Sequence, residues 1–190
     1  IMMGAYTATS GEIYIDGERQ HIHNPQQAKA LGLGAVYQDV TLAPHLTVAE
    51  NFFLGCQPRK GGLVDWKTMY RSVQKTLDEL NIRVSAKARI NELTIGQQEM
   101  VTIAKVVYQN AKVIVFDEPT ALLANEEVQL LFNMIGQLRE KGYGIVYISH
   151  RMEEIFELCD RVTVIKDGTY VDTVKTSDVY EDKLVQMMVG

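Results

Sequence analysis

Residues 113–120, VIVFDEPT, form an apolar run that ends in two carboxylates. The first four residues are apolar on both faces, which is typical of a strand buried within a parallel sheet. Because the run leads straight into Asp117 and Glu118, both carboxylates are predicted at the carboxyl end of that strand. Ligands bind at this edge in open α/β sheets, and hard acidic oxygens suit Mg²⁺. Taken alone, DEPT is equally typical of a loop that caps a helix.

Two further apolar runs end in polar side chains that can meet the same edge. Residues 145–149 lead into His150, and residues 33–37 lead into Gln38. A histidine at the end of a buried strand can reach a charged ligand by hydrogen bonding, although a lone histidine is more often structural. A lone glutamine at such a position would mean little. We expect the glutamine, the acidic pair and the histidine to lie along one rim of one sheet.

Residues 93–98, LTIGQQ, predict an anion site directly before a helix that carries an apolar stripe. The stripe consists of Met100, Ile103, Ala104 and Val107, which recur at helical intervals. A hydroxyl, a glycine and free amide groups therefore meet at a positive helix end. An ordinary N-cap followed by a glycine is the alternative interpretation.

The other segments complete an α/β pattern. Alternation between turn glycines predicts a strand over 11–17, and residues 57–62 are predicted to be a solvated loop. The spacing of Thr47 and Glu50 predicts a capping box. From residue 112 onward strands and helices alternate, which predicts a parallel sheet. Helical periodicity is found over 66–80, 126–141 and 151–158, and a hairpin over 162–174 precedes a closing helix that ends near Met188.

The amino-acid composition and net charge exclude several classes of function. The chain has 190 residues, 46% of them apolar and 23% charged, which is a globular balance. Nineteen Lys and Arg against 24 Asp and Glu give a net charge of −5 without a basic run, so nucleic acid is not expected as a partner. The apolar runs are too short to span a bilayer. Two cysteines without a C-x-x-C pair favour a reducing cytosol.

Four motifs follow one another in an order and at spacings that resemble the nucleotide-binding domain of ATP-binding-cassette proteins: Gln38, LTIGQQ at 93–98, VIVFDEPT at 113–120 and ISH at 148–150. The resemblance implies ATP and Mg²⁺ as cofactors. It makes Asp117 the carboxylate that binds Mg²⁺ and Glu118 the group that orients or deprotonates the attacking water. His150 would contact the γ-phosphate, and Gln38 would sense Mg²⁺ and water.

The same resemblance assigns a role to the segment Thr94, Ile95, Gly96 and Gln97. In this family the segment is the signature motif, which contacts ATP held by the opposite cassette of a head-to-tail pair. The implied fold is a RecA-like P-loop core with a parallel sheet, a remnant of an N-terminal β-subdomain and an inserted helical subdomain. On this pattern, residues 1–44 are the β-rich part with the Q-loop, 45–108 the helical subdomain and 109–190 the core.

Several phrases resemble one branch of the family, the ATPases of bacterial ribose, galactose and xylose type importers: VAENFFLG at 48–55, DW at 65–66, GQQEMV at 96–101 and ISHR at 148–151. Those ATPases carry two cassettes in tandem, and the ending QMMVG at 186–190 is similar to the close of the first one. The resemblance implies an ATPase subunit on the cytoplasmic face of the membrane. Its expected partners are a permease and, indirectly, a sugar-binding protein.

The sequence departs from the family in three places. Ile95 stands where many cassettes have glycine, although an aliphatic residue is usual in the sugar branch. None of the fourteen glycines is followed by lysine, so the phosphate-binding loop G-x-x-x-x-G-K-[ST] is absent and is expected just upstream of Ile1. The 190 residues alone are therefore expected to be catalytically inert. Ala124 stands where an aspartate is common.

Two features of the sequence have alternative interpretations. A cassette fold can also serve as a regulatory or mechanical module, although such relatives usually carry coiled-coil insertions or basic arms. The helical stretch from Thr47 to Val107 should dock on the permease, with Phe52, Phe53 and Trp66 as candidate contacts. The alternative is that these aromatic side chains pack inside the subdomain.

Overall fold

The structure, a computed structural model, describes residues 1–38 and 42–189. Residues 39–41 of the predicted Q-loop, and Gly190 at the end of the quoted QMMVG segment, lie outside the described residues. The chain divides into two compact units, the first covering Ile1–Val146 and the second beginning at Tyr147. The predicted division at 44/45 and 108/109 stays a prediction.

The strands are mostly short. Their bounds follow the predicted runs within about one residue, except that the run predicted over 11–17 is a strand only at Ile13–Ile15, because Asp16 and Gly17 form a turn. The strands are β1 (Ile13–Ile15), β2 (Glu18–Gln20), β3 (Leu33–Val36), β4 (Arg59–Lys60), β5 (Leu63–Val64), β6 (Val113–Asp117), β7 (Gly144–Ile148), β8 (Arg161–Lys166) and β9 (Thr169–Lys175).

The α-helices fill the connections between the strands, and two short 3₁₀ turns, Ile90–Glu92 and Thr176–Asp178, accompany them. The helices are α1 (Pro25–Ala30), α2 (Val48–Phe52), α3 (Trp66–Glu79), α4 (Ile95–Tyr108), α5 (Asn125–Glu140), α6 (Met152–Leu158) and α7 (Glu181–Val189).

β3, β6 and β7 form a three-stranded sheet in that order, of which β3, β6 and the first three residues of β7 belong to the first unit. β3 and β6 are parallel, with Leu33 opposite Val113 and Val36 opposite Phe116. The predicted parallel sheet is thus confirmed. Ile114 and Phe116, on one face of β6, are fully buried, whereas Val113 and Val115 on the other face are only partly buried, so the predicted burial of both faces is not found. β7 enters beside β6, where the Gly144 amide donates to the Lys112 carbonyl at 2.8 Å.

Helix α4 lies against β3 at a contact that leaves no space for a side chain on the strand. A Cβ at Gly34 would come within 2.3 Å of Val106 Cγ1 and 3.1 Å of Ala111 Cβ. Both neighbours are short side chains on the buried side of α4 and of the turn after it, so neither can move aside easily. Glycine at position 34 therefore allows the helix to approach the sheet closely.

Two-residue turns explain the three hairpins that the described residues contain. Asp16-Gly17, Gly61-Gly62 and Asp167-Gly168 all have positive φ at both positions, the backbone of a type I′ turn. The β8–β9 hairpin around Asp167-Gly168 was predicted and is confirmed. Residues 57–62, predicted as a loop, instead contribute β4 to the small β4–β5 hairpin, because Gly61 and Gly62 can both adopt positive φ.

The second unit contains the β8–β9 ribbon and the last two helices. Helix α7 packs on β8, and its Leu184 side chain is fully buried. A bulge between Val164 and Ile165 interrupts the ribbon register. No helix among residues 1–38 and 42–189 is long and apolar enough to cross a bilayer.

Candidate functional site

Gln38 and the acidic pair follow neighbouring parallel strands. Val36 and Phe116 are the last paired residues of β3 and β6, so Gln38 follows its pair by two residues and Asp117 by one. Since parallel strands run in the same direction about 4.8 Å apart, their carboxyl ends share one sheet edge. The predicted grouping therefore holds for Gln38, Asp117 and Glu118, all of which are at least partly exposed.

Glu118 adopts an unusual backbone conformation directly after β6. Its φ is +49°, and the other non-glycine residues of the described chain with positive φ are all Asp or Asn. Asp and Asn tolerate this region, whereas it costs other L-residues about 1–2 kcal/mol. The conformation turns the chain away from the sheet at once, and the Ala121 amide closes the turn on the Glu118 carbonyl at 3.2 Å. Such local strain is a typical feature of functional sites.

The side chains at this edge fit a magnesium ion that is held together with a phosphate. Asp117 supplies a carboxylate and Gln38 an amide oxygen, both hard oxygen donors. The described residues contain no cluster of three or more His, Cys, Asp or Glu side chains that could hold a metal by themselves. Mg²⁺ is commonly bound through one or two protein oxygens, with water and substrate phosphates as its other ligands. Residues 38 and 117 match that pattern.

The predicted anion site is built as an N-cap of α4. Thr94 Oγ1 accepts the Gln97 amide at 3.2 Å, and Gln97 Oε1 accepts the Thr94 amide at 3.0 Å, which completes a capping box. The N-cap interpretation is thus confirmed, and a helix end of this kind also attracts anions. Gly96 is buried, while the Ile95 side chain is 50% exposed although it is apolar.

His150 lies in the second unit, in a loop that a buried carboxylate holds. Glu154, 3% exposed, accepts the Ser149 hydroxyl at 2.7 Å and the Tyr147 hydroxyl at 2.9 Å. Its other oxygen pairs with Arg151 Nη1 at 3.0 Å. The residues on both sides of His150 are therefore bonded to one side chain, and His150 itself is exposed. That His150 joins the edge formed by residues 38, 117 and 118 stays a prediction.

Glu99 is a buried acid that the sequence reasoning missed. It lies in α4 with 4% exposure, and Oε1 has no hydrogen-bond partner among the described residues. Burial raises the pKa of Glu99 from 4.5 to about 7, because the charged form loses its hydration. Its position could have signalled this, since Glu99 precedes Ile103 of the apolar stripe by one helical turn.

Asn51 is a second residue that was missed. Its side chain is 1% exposed and accepts the Ala43 amide at 2.7 Å. It also donates to the Ala43 carbonyl at 3.2 Å and to the Thr47 carbonyl at 3.0 Å. One amide side chain thus bonds to both backbone polar groups of Ala43. Asn51 fixes the chain where it leaves the Q-loop region and enters α2.

We expect Asn51→Ala to lower the free energy of unfolding of the full-length protein by about 2 kcal/mol, because it removes the bond to the Ala43 amide and one of two bonds to the Ala43 carbonyl, which still accepts the Leu46 amide. Chemical denaturation measures the change. Asn133→Ala, at an exposed position of α5, is the matched control and should change stability by less than about 0.5 kcal/mol. Equal stability of the two variants would contradict the assignment.

The three aromatic side chains that are candidates for docking on the permease differ in their exposure to solvent. Phe52 is 2% exposed and packs edge-on against Tyr108, with ring centroids 5.6 Å apart. Phe53 contacts the same ring at 5.4 Å. Both pack within the helical region, as the alternative interpretation had it. Trp66 is 46% exposed and stacks on Tyr70, so it alone of the three presents a large apolar surface.

Comparison with known sequences places the chain in a family. Residues 1–121 match the family model described as ABC transporter. The whole chain is 46% identical to Ribose import ATP-binding protein RbsA 2 of Escherichia coli O157:H7, of which it covers 38%. It is 48% identical to Ribose import ATP-binding protein RbsA 1 of Streptomyces avermitilis, of which it covers 36%. The chain thus spans well under half the length of these relatives.

Solved structures share the fold. The ADP conformation of MJ1267, an ATP-binding cassette of an ABC transporter, superposes with a TM-score of 0.80 at 22% identity, over 98% of this chain and 79% of that one. A dimeric post-hydrolysis state of the cassette MJ0796, bound to ADP and Pi, gives 0.68 at 24% identity, over 88% and 74%. With its parallel sheet and this family match, the chain has the P-loop fold of ATP-binding cassettes and belongs to the ABC transporter family.

Proposed function

We propose that the protein hydrolyses ATP to drive the import of a sugar or a similar small solute into a bacterial cell. The observation that carries the proposal is the placement of Gln38 and the acidic pair at the carboxyl edge of β3 and β6. Phosphoryl transfer to water needs positioned charges more than covalent chemistry, and these side chains provide them. The names of the relatives at 46% and 48% identity support a sugar as the solute.

Each residue at the edge has a proposed part in hydrolysis. Asp117 and Gln38 hold Mg²⁺, which neutralises charge on the phosphates when it is bound. Glu118 orients the attacking water and accepts its proton. His150 donates a hydrogen bond to the γ-phosphate, and Glu154 keeps its loop in place through Ser149 and Arg151. The Gly-Lys pair of a phosphate-binding loop does not occur within these 190 residues.

A second cassette is the proposed partner across the nucleotide. Thr94, Ile95, Gly96 and Gln97 would contact ATP held by that cassette, in a head-to-tail pair. The half-exposed Ile95 beside the capped start of α4 supports this arrangement, because an apolar side chain at a helix end gains from being covered. The dimeric structure of the cassette MJ0796 shows that this fold can pair.

The permease is the proposed membrane partner, reached from the cytoplasmic face. Trp66 and Tyr70 stack with ring centroids 6.1 Å apart, and Lys87 Nζ lies 5.5 Å from the Tyr70 centroid. Exposed aromatic groups with a cation beside them are typical of interface contacts. A sugar-binding protein outside the membrane would act through the permease.

The experiment is sugar uptake in a strain of the source organism that lacks the gene. Uptake of radiolabelled ribose, galactose and xylose is measured, and the uptake of at least one sugar should be lost and then restored by the wild-type gene. Asp117→Asn should fail to restore it, because the amide binds Mg²⁺ weakly. Asp182→Asn, at an exposed position in the first turn of α7, is the control and should restore uptake fully. Restoration by Asp117→Asn would reject the proposed role of the edge.

A further inference from the structure

The carboxylate of Glu127 connects two loops that lie far apart in sequence. Oε1 accepts the Thr94 hydroxyl at 3.2 Å, across 33 positions of the chain. Oε2 accepts the Ala124 amide at 3.1 Å. Thr94 starts α4, and Ala124 ends the loop that begins after Glu118 and leads into α5. One side chain therefore bonds to the start of the signature helix and to the loop that follows the acidic pair.

Gly96 leaves the space that the Glu127 carboxylate occupies in this contact. A Cβ at position 96 would lie 2.4 Å from Glu127 Cδ and 2.4 Å from Oε1. These atoms are at the far end of a flexible side chain, so a methyl group would push the carboxylate away rather than prevent folding. Glycine at 96 thus lets Glu127 reach both of its donors. The glycine is explained here by a contact within the chain, independently of any nucleotide.

Because Ala124 has no side-chain acceptor, the conformation of the loop that it ends depends on Glu127. A residue at an N-cap normally accepts an amide of the first turn through its own side-chain oxygen, and Ala124 has none. Only the reciprocal half of a capping box remains, in which Glu127 accepts the Ala124 amide. The bond that an aspartate at 124 would add is missing, so the position of the loop rests more heavily on position 127.

We propose that Glu127 is a positioning residue that holds the signature segment and the loop after Glu118 in one fixed arrangement. This inference rests on the proposed function, since it assigns both loops to hydrolysis. A change at the face presented to a second cassette would then move the loop that follows Glu118, through a continuous set of bonds. Glu127 itself touches no nucleotide in this scheme.

The first test is hydrogen exchange of the full-length protein without nucleotide. In Glu127→Ala the Ala124 amide should exchange about tenfold faster than in the wild type, because one hydrogen bond is lost. Gly96→Ala should produce a similar increase by displacing the carboxylate, and adding Glu127→Ala to it should produce no further increase. Glu127→Gln, which retains an acceptor oxygen, should stay near the wild-type rate. Glu126→Ala removes a charge from the same helical turn and is the control.

The second test separates a positioning role from general destabilisation. For Glu127→Ala we expect kcat for ATP hydrolysis to fall about tenfold while KM stays within about twofold, and Glu127→Gln should recover most of kcat. Wild-type exchange at Ala124 in Glu127→Ala would overturn the inference, as would a kcat equal to that of Glu126→Ala. If the wild-type protein hydrolyses no ATP, the proposed function fails, whereas the exchange experiment still decides whether the two loops are linked through Glu127.

Discussion

Glu118→Gln in the full-length protein should reduce ATP turnover about 1,000-fold, the middle of the range for losing a general base. Glutamine has the same shape and can adopt the same φ of +49°, so the loop should keep its conformation. The amide cannot take a proton from water, whereas Asp117 and Gln38 remain to hold MgATP. Turnover is measured as phosphate release, and nucleotide binding by equilibrium dialysis.

The control for this change is Glu126→Gln, an exposed glutamate eight positions later, which should leave turnover within about twofold. Glu118→Gln should still bind ATP. Retained binding would show that the variant has lost the hydrolysis step and not the nucleotide-binding site. Turnover within about tenfold of the wild type would remove Glu118 from the mechanism. Loss of ATP binding would instead show that the side chain supports the site structurally.

Glu99→Gln should stabilise the protein at alkaline pH. The raised pKa means that folded Glu99 keeps a proton up to about pH 7, whereas the unfolded chain releases it near 4.5. Stability therefore falls as the pH rises from about 4.5 through 7, since the native state binds the extra proton. The full difference corresponds to about 3 kcal/mol above pH 7. Glutamine has no charge to bury and should remove this dependence.

The measurement is the difference in thermal stability between the wild type and Glu99→Gln at pH 5, 6, 7 and 8. Near pH 5 the two proteins should be similar, and by pH 8 the variant should unfold several degrees higher. Glu140→Gln, at the exposed end of α5, controls for a change of net charge and should follow the wild type. If the difference in thermal stability stayed constant from pH 5 to pH 8, the pKa of Glu99 would be the same in the folded and unfolded chain.

The sequence predicted those helices, strands and turns whose determining residues lie within a few positions of one another. The apolar run before Asp117 predicted β6, and the Asp167-Gly168 turn predicted its hairpin, because strand burial and turn backbone are local properties. Helix α1 was missed although Asn24 and Pro25 mark its start as N-cap and first residue. With six residues, α1 is too short to show a periodic stripe.

The sequence predicted the sheet edge at which the candidate site lies, but not the residues that hold the surrounding loops and helices in place. Gln38 and Asp117 could be placed because parallel strands end together. Glu127 could not, since its bond to Thr94 joins segments 33 positions apart and no spacing rule connects them. Glu99 was missed because a glutamate in a helix is usually solvated, although its position one turn before Ile103 of the apolar stripe is a signal of burial.

The tight approach at Gly34 determines how α4 can move. Val106 near the end of the helix is held against β3, whereas Ile95 at its start is about 16 Å away along the axis. A tilt of about 10° around Gly34 would therefore carry the start of the helix through about 3 Å, with almost no displacement at the strand. In such a tilt the strand that leads to Gln38 would stay in place, and the start of α4 would move together with the loop that Glu127 bonds to it.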